Sequence, residues 1–156
     1  MFFVGDTADI KRRKINDYLR KEPMIAVLLA AANFEWTVGR CILFFSNSPN
    51  VEVRKRLAKC YGLDKYKQMW KEELIKDDPT IPPLAHVIKN WEKFNEAFVM
   101  RHRLIHGRTT CSRNMALEPV ELILKATDDL YSFAQSKDKN LHDRIPVRRK
   151  RRVQIS

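Results

Sequence analysis

Along most of the chain, apolar residues recur every three or four positions between short polar breaks, the pattern of amphipathic helices packed on one another. The strongest stretch opens at Pro23 and runs through Ile25, Leu28, Leu29, Ala32, Trp36, Ile42 and Phe45, apolar nearly all round, until Ser46-Asn47-Ser48-Pro49 stops it. This predicts a central helix. Before it, Asp6-Thr7 offers a cap for a surface helix with a looser apolar face of Ile10, Ile15 (or Lys14), Tyr18 and Leu19. After it, a short basic helix is expected from Val51 to Cys60, ended by Gly62. Asp64 is expected to cap another helix through Tyr66, Met69, Trp70 and Leu74.

Pro82-Pro83 then opens a longer helix in which Leu84, Val87, Ile88, Trp91, Phe94 and Phe98 form a core-facing stripe. Continuing that stripe gives Arg101 and then Ile105, with Gly107 placed to end the helix. Residues 108–114 read as a polar loop, and a last helix is expected from Glu118-Pro119 to Phe133. From Asp138 onward apolar periodicity disappears. The expected architecture is all-α, an antiparallel bundle of about five to six helices. A helical domain covers residues 1–136, and a flexible basic tail covers 137–156.

Composition agrees with one helical domain: 156 residues, 44% of them hydrophobic, and only four glycines. Charge adds a partner class. The net charge is +11, and residues 137–156 carry eight Lys/Arg against two Asp, so the tail holds +6 and the body +5. Such a balance attracts polyanions, nucleic acid first, and the Arg144–Arg152 run reads as an electrostatic arm. Cys41, Cys60 and Cys111 are odd in number and far apart, which suits reduced thiols in a cytoplasmic protein. In a eukaryotic cell the basic run could also serve as a nuclear address. The start, Met1-Phe2-Phe3-Val4, is too short for a signal peptide. The apolar stretch to Phe45 is interrupted by Asn33, Glu35 and Arg40, so it reads as a core helix with no membrane partner.

Those charges need partners, because a charge on an apolar face is costly unless it is paired or faces an interface. The same holds for Arg101. It begins the run Arg101-His102-Arg103-Leu104-Ile105-His106-Gly107, where titratable and cationic groups concentrate. On a regular helix His102 and His106 share a face, whereas Arg101 and His106 lie about 140° apart. A metal site on the two histidines would need a third ligand, with only Cys111, His86 or His142 to choose from. If the last turn unwinds before Gly107, His106 instead comes beside Arg101. A neutral imidazole can take a proton from a ribose 2′-hydroxyl and a guanidinium can stabilise charge on the phosphorane-like transition state, with no metal or other cofactor. A purely structural role is the competing reading: Arg101 paired with Glu35 or Glu96, and both histidines at the surface near a helix C-terminus.

The run from Arg101 to His106 resembles the R-x4-6-H motif of the HEPN superfamily of helical ribonucleases, with His102 in the polar place that commonly follows the arginine. The resemblance rests also on helix order over residues 6–136. It implies a HEPN-like bundle acting as a metal-independent endoribonuclease and homodimer, of the toxin or phage-defence type. Arg101 and His106 would be the catalytic pair in a cleft shared by two subunits, with His102 beside them. Cleavage would leave a 2′,3′-cyclic phosphate and a 5′-hydroxyl. An antitoxin or other regulatory partner fits this class. No Tyr follows soon after His106, as it does in some toxin branches, which leaves the subfamily open.

Within that reading Glu35 is expected to orient Arg101, and Arg103, Arg108 and Arg113 to hold RNA phosphates. The alternative function is a non-catalytic helical module that binds RNA or a partner protein through its basic surface. A third, a helix-turn-helix DNA regulator, has only the short basic helix at residues 51–60 to serve as a recognition helix.

Overall fold

The computed structural model describes Phe2 and residues 5–150; among these the chain forms seven α-helices and no strand. The first, α1 (Ala8–Lys21), starts where the Thr7 hydroxyl accepts the Ile10 amide at 3.3 Å. That bond satisfies one of the amides a helix start leaves unpaired. Next, α2 (Pro23–Phe45) begins with proline in its first turn, where the missing N–H costs nothing, and ends at Ser46. It is the axis of the bundle, packed by α1 on one side and by the last two long helices on others. By length and composition it could cross a membrane, yet 67% of the qualifying window is buried within the bundle. Its apolar faces therefore already have protein partners.

Two short helices, α3 (Asn50–Leu57) and α4 (Leu63–Trp70), each pack against this axis. A single turn, α5 (Leu84–Val87), leads to α6 (Trp91–Ile105) and α7 (Arg113–Ser136). Phe34 of α2 is fully buried between α6 rings, with centroids 4.6 Å from Phe94 and 5.8 Å from Phe98. A second aromatic cluster joins Phe45, Trp70 and Phe133.

Three helix boundaries differ from the sequence expectations. The stripe from Leu84 to Phe98 does not lie on one helix, because Ile88 is extended and Asp129 of α7 accepts the Lys89 amide at 2.9 Å. That long-range capture takes a donor the helix would have used, so α6 restarts after Asn90. The last helix begins earlier than Glu118. The Ser112 hydroxyl accepts the Met115 amide at 3.3 Å, which leaves Pro119 inside the helix instead of at its start. Nor does Asp64 cap α4: Gly62, at φ 86°, turns the chain into it, and Leu63 is buried at once. Beyond Trp70, α4 runs on through a π-helical turn, Lys71–Ile75.

The segment expected to be a flexible tail is seated on the bundle as far as it is described. Residues 137–150 are irregular, but Leu141 and Ile145 are buried in the core. The unpaired polarity of α2 explains this. Arg40 donates to the carbonyls of Leu141 (2.7 Å) and Asp143, which supplies the partner its place on an apolar helix requires. Arg148 donates to the carbonyls of Ser48 (2.9 Å) and Leu43, the latter left open in the last turn of α2. Asn50 pairs with the same segment through Arg148 and Pro146. Arg151 and Arg152 lie outside the described residues. We expect Arg148→Ala to lower stability by about 1–3 kcal/mol, the usual worth of hydrogen bonds to a charged group, read as a lower urea midpoint at unchanged slope.

Candidate functional site

At its C-terminus α6 ends without unwinding. His106 still donates its backbone N–H to the His102 carbonyl at 3.2 Å; Gly107 (φ 61°) bonds back to Leu104 and Arg108 to Arg103. These two bonds close a Schellman turn, and glycine takes the left-handed position because it has no Cβ to clash. The expected unwinding toward Arg101 therefore does not occur. Helical geometry holds instead, and the His102 and His106 rings meet edge to face with centroids 4.3 Å apart.

Arg101 finds its partner on α2. Its guanidinium donates to Glu35 at 3.4 Å, with both side chains partly buried, and the cation also lies 5.8 Å from the Phe98 ring centre. The two charges that interrupt apolar faces thus meet each other. Burial pushes the Glu35 carboxyl up from its usual range while Arg101 draws it down. Beside them the buried Tyr66 hydroxyl is pushed up by burial first, then by Glu35 and Cys60, with Arg101 opposing. Tyr66 from α4 thereby joins the ion pair in one half-buried polar cluster.

Arg101, His102 and His106 line one open recess, whose opposite wall is the α3–α4 turn with Tyr61, Gly62, Leu63 and Asp64; Asn95, Phe98 and Val99 complete it. The His102 imidazole, though exposed, is held below its ordinary range, by desolvation first and then by His106, Arg108 and Arg101. The shift favours the neutral ring, the form that can accept a proton.

The other expected phosphate ligands are distributed differently. Arg108 remains close enough to act on His102, but Arg103 lines a second groove, between α6 and α7, together with Lys93, Met100 and Met115. Arg113 is exposed at the first position of α7. Among the described residues no group of three His, Cys, Asp or Glu side chains is arranged to hold a metal ion.

Tyr61, Asp64, Tyr66 and Asn95 are the residues that sequence reading did not connect with the motif. Nothing in the spacing of the first three could do so, since α3–α4 reaches α6 through tertiary packing, whereas Asn95, two helical turns before His102 on α6, was within reach of a spacing argument. Comparisons with protein-family models, curated proteins and solved structures give no match to this chain.

Proposed function

We propose that the chain is a HEPN-like, metal-independent endoribonuclease that works as a homodimer, with Arg101 and His106 as the catalytic pair and His102 beside them. The observation that carries this reading is the shared recess: a guanidinium and two imidazoles line one open site, and the guanidinium is held from behind by a carboxylate. Among the described residues that carboxylate takes one donor of Arg101, which leaves its other N–H groups for a phosphate.

The chemistry divides as follows. An imidazole removes the proton from the 2′-hydroxyl, the resulting oxygen attacks the adjacent phosphorus, and the bond to the 5′-oxygen breaks as a second acid returns a proton to it. Arg101 stabilises the charge that builds on the non-bridging oxygens. On an intact helix Arg101 and His106 point about 140° apart, so the missing partner for each is supplied by the second motif across a two-fold seam. Support for a seam comes from the α6–α7 groove. Val99 belongs both to it and to the motif recess, and Val99, Ile105, Met115 and Leu117 are each 43–52% exposed on these two helices.

The test is cleavage of RNA in excess EDTA by the wild type and by His106→Ala. Metal-free cleavage that disappears in the variant supports the reading; binding with no cleavage by either protein supports the non-catalytic module. Glu35→Gln gives a second handle. It keeps the shape and removes the charge that steers Arg101, so kcat is expected to fall about tenfold or more with KM little changed, in line with lost positioning. Full activity in that variant removes Glu35 from the site.

A further inference from the structure

Tyr61 is 82% exposed, more than any other large apolar side chain among the described residues. A single exposed apolar residue is ordinary on a protein surface, and alone it would mean nothing. Its setting differs. The backbone beneath it is fixed by bonds from Lys59 to Arg56 and from Cys60 to Leu57, both at 3.0 Å, and by the positive φ of Gly62, from which α4 starts. The ring is thus presented on a rigid turn.

That turn forms the wall of the motif recess facing α6, and the two walls differ in chemistry. Arg101, His102 and His106 supply charge and proton transfer on one side. Tyr61 supplies an exposed aromatic face on the other, and Asp64 beside it offers a polar group to a ring edge, while Asn95, Phe98 and Val99 line the α6 side. A nucleotide carries the same division, an anionic phosphodiester joined to a flat base. We propose that the Tyr61 wall is a base subsite in which the Tyr61 ring stacks on one unpaired nucleobase of the RNA whose phosphate is held at Arg101.

This inference rests on the ribonuclease reading and adds to it the residue that holds an unpaired base. In a duplex both faces of every base are covered by neighbours, so only an unpaired base can offer a face to the ring. Stacking accepts all four bases, and a tyrosine fixed by two torsions loses little entropy on contact. Exposed Lys59 and Lys65, on either side of the turn, add attraction for flanking phosphates.

The test uses the full chain with His106→Ala, so that the RNA survives, and a short fluorescein-labelled single-stranded RNA read by anisotropy. Adding Tyr61→Ala is expected to weaken binding about tenfold or more, while Tyr61→Phe binds as tightly as the parent. The same strand annealed to its complement should bind more weakly and without dependence on position 61. With His106 restored, Tyr61→Ala should raise KM by a similar factor and leave kcat within a few-fold. Equal affinity of the Ala and parent proteins, a Phe variant as weak as Ala, or a duplex bound as tightly as the single strand would overturn the base subsite. No RNA cleavage in EDTA by the protein with His106 in place would overturn the ribonuclease reading instead, with the anisotropy comparison still legible. Absence of RNA binding by every protein would overturn both.

Discussion

His106→Ala is expected to lower the rate of RNA cleavage in EDTA by about 10²–10⁴-fold, the usual contribution of a positioned acid or base. The fold should survive the change. His106 is exposed and closes α6 through its backbone, and the Schellman turn depends on Gly107 and on main-chain groups. A loss of rate with unchanged circular dichroism and melting temperature therefore reports chemistry, not unfolding. His86→Ala serves as the control, because His86 is also exposed but sits on α5, outside the recess. The role of His102 can be read in the same assay. If it only tunes its neighbour, its removal costs less than removal of His106; if it shares the proton transfer, the two losses are comparable and do not add.

The largest effect on stability is expected at Phe34. This side chain is fully buried, and its contacts with Phe94 and Phe98 hold α6 onto α2, one residue away from the carboxylate that meets Arg101. Phe34→Ala removes most of a ring from a packed aromatic cluster and leaves a cavity, at a cost of about 3–5 kcal/mol. That is a large part of the stability of an ordinary domain, and corresponds to a melting temperature lower by on the order of 10 °C. Phe34→Leu keeps much of the volume and should lose less than half as much. Urea unfolding of the three proteins measures both differences. Because the Glu35–Arg101 contact rides on the same helix pair, RNA cleavage by Phe34→Ala should fall even below its melting temperature.

The helices were legible where a local signal and the packing agree. Thr7 caps α1, Pro23 opens α2 and Gly107 closes α6, each for a reason contained in a few consecutive residues. Boundaries differ from expectation where two local signals compete. Pro119 is a strong start signal, but Ser112 caps the helix first, and an apolar stripe conceals the break at Ile88 because the group that takes the Lys89 amide is 40 residues away. The tail shows a different limit. Its basic composition suggests a solvated arm, whereas two buried apolar residues and the carbonyls that meet Arg40 seat it on the bundle. No periodicity announces such a contact.

In the site, charge patterning narrows the partner of Arg101 to Glu35 or Glu96, since a charge on an apolar face requires one, and the folded chain uses Glu35. The relation between Arg101 and His106 differs from the local expectation. A helix stop at Gly107 permits unwinding, but a Schellman turn ends a helix while keeping its last turn intact, so the histidines remain together. The far wall of the recess, with Tyr61 and Asp64, belongs to helices separated from the motif by about forty residues of chain and comes into view only in three dimensions.

The central claim is attack by the 2′-hydroxyl at a site made by Arg101 and His106 without metal. Its most direct test is the chemistry of the RNA ends formed by the wild-type protein in excess EDTA. The account predicts a 2′,3′-cyclic phosphate on the upstream fragment and a 5′-hydroxyl on the downstream one, both lost with His106→Ala. Fragments with a 5′-phosphate, or intact RNA after prolonged incubation with the folded protein, would contradict it.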